Sequence, residues 1–175
     1  INKGWEFAVK TRFGPLDINA TYSILDSRWG QDSIRQNDQV YEGFFDEGVR
    51  RNDVPTSTAN LSLAYSLPGI TSKNRKGGTL VIDLNYTGEK KGRDWLKYYD
   101  GFYKPDVEPF SYYSKDVLVY YKPYVTVRLR GNYWFTNNLA AYLDIRNLTE
   151  HEDISRAITQ PALGRQIVFG LDLEF

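Results

Sequence analysis

"GRQIVFGLDLEF", Gly164–Phe175, closes the sequence. Apolar side chains take every second position, Ile167, Phe169, Leu171, Leu173 and Phe175, with Asp172 and Glu174 between the last three. Successive side chains of a β-strand point to opposite faces, so this spacing predicts a strand with one apolar face. The alternation runs to the final residue, itself a Phe. Chain ends of water-soluble domains usually fray and carry no such constraint. The question is what that apolar face touches.

The same period recurs along the chain. Trp5, Phe7, Val9 and Phe13 alternate with Glu6, Ala8, Lys10 and Arg12, and Leu16, Ile18, Ala20, Tyr22 and Ile24 alternate with Asp17, Asn19, Thr21 and Ser23. Leu61, Leu63, Tyr65 and Leu67 form a third set, and Leu80, Ile82, Leu84 and Tyr86 a fourth. Val125, Val127, Leu129, Tyr133 and Phe135 form a fifth, and Leu139, Ala141, Leu143 and Ile145 a sixth. With the tail this predicts about seven strands of about 9–11 residues, and no helix. The connections alternate in length. Gly14-Pro15 and Thr136–Asn138 are tight turns, and Pro68–Gly78 is a longer turn-rich link. Between them lie long polar, aromatic-rich segments, Ser27–Ser57, Glu89–Lys122 and Glu150–Gly164. Structureless loops that long are uncommon in a compact domain. Their regular placement predicts different surroundings at the two ends of the sheet.

Composition narrows the function classes. Lys+Arg and Asp+Glu are both 22, so no basic excess points to nucleic acid. No Cys is present, which removes disulfides, thiolate metal sites and Cys nucleophiles. No apolar run is long enough for a transmembrane helix. The opening "INKGWEFAVK" lacks the charged and apolar regions of a signal peptide and reads as a mature terminus or a fragment boundary. The single His, His151 in "TEHED", reads as an exposed loop residue, and no nucleophile is spaced to use it. Glu42, Asp46, Glu47 and Asp53 lack calcium-loop spacing. The expectation is a non-enzyme without cofactor or metal.

The face opposite the apolar one collects charge: Glu6, Lys10, Arg12, Asp17, Asp83, Arg128, Arg130, Asp144, Arg146, Asp172 and Glu174. A soluble β-sandwich, for instance a carbohydrate binder, also has two-faced strands, but its strands usually run to five or six residues. About ten tilted residues span a bilayer. Short turns at one end, long loops at the other and aromatics near strand ends complete the pattern of a membrane barrel. Phe13, Phe135, Phe175, Tyr65 and Tyr133 fall toward the short-turn end, Trp5 and Tyr86 toward the other, and Ile18, Leu63, Ile82, Leu84, Leu129 and Leu143 between. The fold class expected is an all-β, antiparallel transmembrane β-barrel segment. A further strand within "YYSKDVLVYY", Tyr112–Tyr121, would permit a complete eight-stranded barrel with a structural or adhesion role.

"YWFTNNLAAYLDIRNLTEHED", followed by a loop and "ALGRQIVFGLDLEF", resembles the carboxyl end of TonB-dependent outer-membrane receptors. Asn147, Leu148, Thr149, Gly164, Arg165 and Phe175 match the family's Asn-Leu-Thr/Phe element, its Gly-Arg pair and its terminal Phe. "VPTSTANLSLAYSL", Val54–Leu67, resembles the family's entry from loop to strand. Such receptors have 22-stranded barrels with a plugged lumen. The resemblance implies that residues 1–175 are the last part of such a barrel, with the plug and the TonB-contacting segment outside this sequence. It implies a Gram-negative outer-membrane location and uptake of a ferric siderophore, haem, cobalamin or glycan, energised through TonB. Lipopolysaccharide and the barrel-assembly machinery are implied partners, with Phe175 as the assembly signal.

The candidate residues follow from that frame. Trp95, Tyr98, Tyr99, Tyr103, Tyr112 and Tyr113 crowd one long loop, where aromatics suit stacking on a chelate, a haem or a sugar. The same residues also suit a loop that packs on itself and on lipopolysaccharide. Lys90, Lys91 and Arg93 lie just past Gly88, where lipopolysaccharide phosphates would sit. Arg128, Arg130, Asp144, Arg146, Asp172 and Glu174 are expected to face the lumen and, by resemblance, the plug. Mutual pairing of solvated side chains is the alternative for them.

Overall fold

A computed structural model of the chain describes residues 1–30, 35–36, 39–40, 50–69, 77–94, 118–151 and 164–174. The strands are β1 (Asn2–Phe13), β2 (Leu16–Ser27), β3 (Arg35–Gln36), β4 (Gln39–Val40), β5 (Ser57–Leu67), β6 (Gly78–Thr87), β7 (Lys90–Arg93), β8 (Leu118–Tyr121), β9 (Tyr124–Trp134), β10 (Leu139–Arg146) and β11 (Gln166–Leu173). Among the described residues, seven of them form one antiparallel sheet in the order β1-β2-β5-β6-β9-β10-β11. Each expected strand is present and pairs with its sequence neighbours in the sheet.

The turns at one end are short for local reasons. Gly14 has φ 56°, the left-handed value that the first central residue of a two-residue hairpin needs, and Pro15 supplies the second. At the next short turn Thr136 Oγ1 accepts from the backbone N–H of Asn138 (3.2 Å) and of Leu139 (3.0 Å). The long connections leave from the other end.

The register shows what the alternation builds. Thr11, Ile18, Leu63, Ile82, Leu129, Ile145 and Ile167 are successive partners across all seven strands. The row above reads Val9, Ala20, Leu61, Leu84 and Val127, and the row below reads Phe13, Leu16, Tyr65, Leu80, Gly131, Leu143 and Phe169. Toward the loop end come Phe7, Tyr22, Ala59, Tyr86 and Val125, then Trp5, Ile24 and Ser57. Aliphatic rows thus lie between aromatic-bearing ones.

Nothing among the described residues covers this face. Trp5 is 74% exposed, Ile167 65% and Phe169 67%, and Tyr121 and Ala140 are the buried apolar residues. A soluble sandwich buries this surface under a second sheet. None packs on it among the described residues.

The further strand expected within Tyr112–Tyr121 lies partly outside the described residues. Of Tyr112–Tyr121, the described part is Leu118–Tyr121, and it forms no additional strand of the large sheet. As β8 it pairs with β7, Lys90 opposite Tyr121. Thr87 of β6 stands opposite Tyr124 of β9, so β7–β8 prolongs the β6–β9 ladder without a register change. The interruption falls where Pro123 has no N–H to give and where Gly88 instead donates to Ser57 O (2.8 Å). The sheet itself is open: β1 pairs with β2 alone and β11 with β10 alone among the described strands.

Candidate functional site

The polar face carries a charged network at mid-height on β6, β9 and β10. Asp83 stands directly opposite Arg128, and Asp144 directly opposite Arg130. The pairing is crosswise. Arg128 donates from Nε (2.8 Å) and Nη2 (2.6 Å) to the two Asp144 oxygens, and Arg130 donates from Nη2 (2.8 Å) and Nε (3.1 Å) to Asp83 Oδ2. An arginine side chain is too long for the residue facing it but spans the diagonal to the next pair, where its fork meets a carboxylate squarely. Arg146 Nε adds a third bond to Asp144 (2.9 Å), and Ser62 Oγ donates to Asp83 (2.7 Å).

The two carboxylates are the enclosed members. Their side chains are 15% and 18% exposed, whereas Arg146 is 53% exposed. Three guanidiniums around two carboxylates present one net positive charge. Of the expected polar-face set, Arg128, Arg130, Asp144 and Arg146 therefore come together. Asp172 lies opposite Ala140, on the same face but outside the network, and Glu174 is held by its backbone, whose N–H donates to Asn138 O (2.9 Å). Asp83, expected on the charged face, and Ser62 complete the network. Alternation put both on this face, but only the register brings them to the arginines.

Nearer the loop end the polar face is uncharged on its inner strands. Thr21, Asn60, Asn85 and Thr126 are successive partners, and Ser23, Thr58 and Thr87 form the next row. Ser23 and Thr58 share a hydrogen bond of 2.8 Å, and Asn60 Nδ2 donates to Thr21 Oγ1 (3.2 Å).

The Asn-Leu-Thr element is a clamp at the root of the last long loop. Asn147 sits at φ 51°, a backbone region its short carboxamide tolerates. That carboxamide grips both backbone groups of His151, accepting from its N–H at 3.0 Å and donating to its C=O at 2.9 Å. The His151 ring stacks on Tyr124, centroids 4.0 Å apart. Leu148 N–H donates to Val127 O (2.8 Å), and Arg165 reaches Glu150 at 3.0 Å across the loop. His151 is thus part of the loop's structure.

Lys90, Lys91 and Arg93 share β7 but not one surface. Lys91 is 6% exposed, and Lys90 Nζ lies 6.0 Å from the Tyr121 ring centroid. Trp95, Tyr98, Tyr99, Tyr103, Tyr112, Tyr113 and Phe175 lie outside the described residues.

No family model and no curated relative matches the chain. Solved structures do. The siderophore receptor PiuA of Acinetobacter baumannii superposes with a TM-score of 0.65 at 16% identity, covering 98% of this chain and 21% of its own. The ferripyoverdine receptor of the outer membrane of Pseudomonas aeruginosa gives 0.60 at 15%, covering 99% and 19%. The FrpB iron transporter of Neisseria meningitidis gives 0.56 at 16%, covering 99% and 23%. The chain spans about a fifth of the length of these proteins. It is an all-antiparallel sheet whose fold resembles part of the outer-membrane siderophore and iron receptors.

Proposed function

We propose that this chain is the carboxyl-terminal wall, with its loops, of a 22-stranded TonB-dependent receptor in the outer membrane of a Gram-negative bacterium. The observation that carries the proposal is the uncovered apolar face that runs across all seven strands, aliphatic between aromatic rows. Hydrocarbon is the surrounding in which such a face is favourable and aromatic rims have a use. The polar face then borders the lumen, where Arg128, Arg130, Asp144 and Arg146 meet water, the plug of the longer chain or passing solute, and Asp172 and Glu174 line the same surface.

The activity is uptake of a scarce solute, energised through TonB by way of the plug. Of ferric siderophore, haem, cobalamin and glycan, the ferric siderophore is favoured by the names of the structural neighbours. The loop with Trp95, Tyr98, Tyr99, Tyr103, Tyr112 and Tyr113 contributes ligand contacts, and the chain itself performs no catalysis and holds no cofactor. Lipopolysaccharide and the barrel-assembly machinery are its partners, the latter through Phe175.

The test is made on the full-length protein. Its gene is deleted, and uptake of iron-55 carried by a panel of siderophores is measured with and without TonB. The reading predicts loss of at least one TonB-dependent flux, restored by the intact gene. A full-length protein found in the aqueous fraction, or unchanged uptake of every chelate, refutes it.

A further inference from the structure

The charged network of the polar face is not closed on itself. Asp83 accepts from one guanidinium, that of Arg130, so this pair is balanced. Asp144 serves two. Its Oδ2 accepts from Arg128 Nη2 at 2.6 Å and from Arg146 Nε at 2.9 Å. Two guanidiniums thus converge on one oxygen and share one negative charge. Arg128 commits Nε and Nη2 to Asp144, whereas Arg146 commits Nε alone. Both Nη nitrogens of Arg146 have no partner among the described residues, and the side chain is 53% exposed.

The described surroundings do not supply the missing charge. Gln166 stands directly opposite Arg146 on β11, and partners across an antiparallel pair share a face. Its carboxamide has no partner among the described residues either. Asn85 and Thr126, in the adjacent row toward the loops, are uncharged. Glu150 is taken by Arg165 at 3.0 Å, and Asp17 lies across the sheet on β2, 3.5 Å from Arg12. Asp172 stands opposite Ala140, four residues along β10 from Asp144, about 13 Å away. Arg146 therefore presents a free guanidinium edge, with a neutral amide beside it and no described carboxylate left to take it.

We propose that the free edge of Arg146, with the Gln166 carboxamide beside it, is a binding site for a carboxylate. This rests on the reading of the polar face as the lumen side and names the chemistry that this wall recognises. Two guanidinium nitrogens in a plane match the two oxygens of a carboxylate, and an amide N–H adds a third bond. A lysine would offer the charge without the fork. A second carboxylate also offsets the repulsion between Arg128 and Arg146, which Asp144 alone opposes. The single surplus charge suits a monoanion. A solute in transit and an Asp or Glu of the plug present the same group to this wall.

The full-length protein in detergent is titrated with 4-fluorobenzoate, followed by the broadening of its fluorine NMR line, and is crystallised with 4-bromobenzoate, whose bromine anomalous scattering locates. Arg146→Gln is expected to weaken binding about tenfold, and Arg146→Lys to recover part of it. Arg12→Gln, which removes a cation of the same face that already sits beside Asp17, is expected to match the wild type. Bromobenzoate on the Arg146 Nη atoms assigns the site to a solute carboxylate. No binding in solution, with a plug Asp or Glu on those atoms in the crystal, assigns it to the plug. Water alone there, a neutral or basic group there, or binding that Arg146→Gln leaves unchanged overturns the proposal. The same crystal and the heat-dependent gel shift of a folded barrel report separately on the membrane reading: a sheet outside any barrel is a different result from a barrel with only water at Arg146.

Discussion

Ile82→Arg separates a lipid-facing sheet from a hydrated one. Ile82 sits on the central strand β6 with Leu63 and Leu129 as its cross-strand partners. Four residues separate it from Tyr86 in one direction and four from Gly78 in the other, about 13 Å each way at about 3.3 Å per residue. With strands tilted by about 40° that is about 10 Å of depth, which puts Ile82 close to the middle of an apolar band about 25 Å tall. A lipid-facing arginine there costs about 2–4 kcal/mol. The equivalent change in the folding equilibrium is roughly 30- to 900-fold. In water the same surface substitution stays within about 0.5 kcal/mol. Asn85→Arg is the internal control, because Asn85 lies on the polar face, directly opposite Asn60 and Thr126. It should cost no more than about 0.5 kcal/mol. Tyr86→Arg, at the rim, should cost about 0–1 kcal/mol. The assay is the urea dependence of folding of the full-length protein into phosphatidylcholine vesicles, followed by heat-dependent gel mobility. Equal costs for Ile82→Arg and Asn85→Arg would refute the assignment of faces.

The crosswise network predicts that a double-mutant cycle couples Asp144→Asn to Arg128→Gln by about 1 kcal/mol, discounted for the exposure of the arginines, and couples it less to Arg130→Gln; stronger coupling to the directly opposite Arg130 would contradict the geometry. Asn147→Ala should free the backbone of His151 and lower the hydrogen-exchange protection of its amide about tenfold, with Asn147→Asp retaining part of it. A side chain placed at Gly170 would meet the ring of Tyr142, its cross-strand partner. Gly170→Val should therefore destabilise by about 1–2 kcal/mol, and Tyr142→Ala should relieve most of that loss, measured in the same urea assay. Phe175→Ser is expected to reduce the amount of protein assembled in the outer membrane; undiminished yield in isolated membranes would count against Phe175 as the assembly signal.

Alternation and turn chemistry were legible because they are local. Ile167, Phe169, Leu171 and Leu173 announce a strand without reference to any other residue, and Gly14-Pro15 announces a turn. Register is not local. That Arg128 bonds Asp144 while facing Asp83 depends on the relative slip of three strands. The same holds for the prolonged ladder in the aromatic loop, whose strands β7 and β8 are four residues each and carry too few alternations to stand out. Lys90, Lys91 and Arg93 looked like one basic patch because they are neighbours in sequence. Neighbours on a strand point apart, so the patch divides.

The free edges bear on what this sheet needs in lipid. β1 has twelve residues, and its outer edge has no partner among the described strands. About half of those residues direct an N–H and a C=O away from β2, about six of each. In water such groups are solvated at little cost, but in hydrocarbon each unsatisfied one costs several kcal/mol. Even at about 2 kcal/mol apiece the sum exceeds 20 kcal/mol, more than the whole folding stability of an ordinary domain. The edge of β11 adds to it. An apolar face that favours lipid and edges that forbid it are compatible only if further strands pair with both β1 and β11. A barrel meets that condition, and a sheet of these seven strands alone in a bilayer does not. The backbone thus supports the proposal of a longer receptor as the side chains do. It predicts that residues 1–175 expressed by themselves will not give a heat-stable, membrane-inserted species. Finding one would mean that β1 and β11 can satisfy each other.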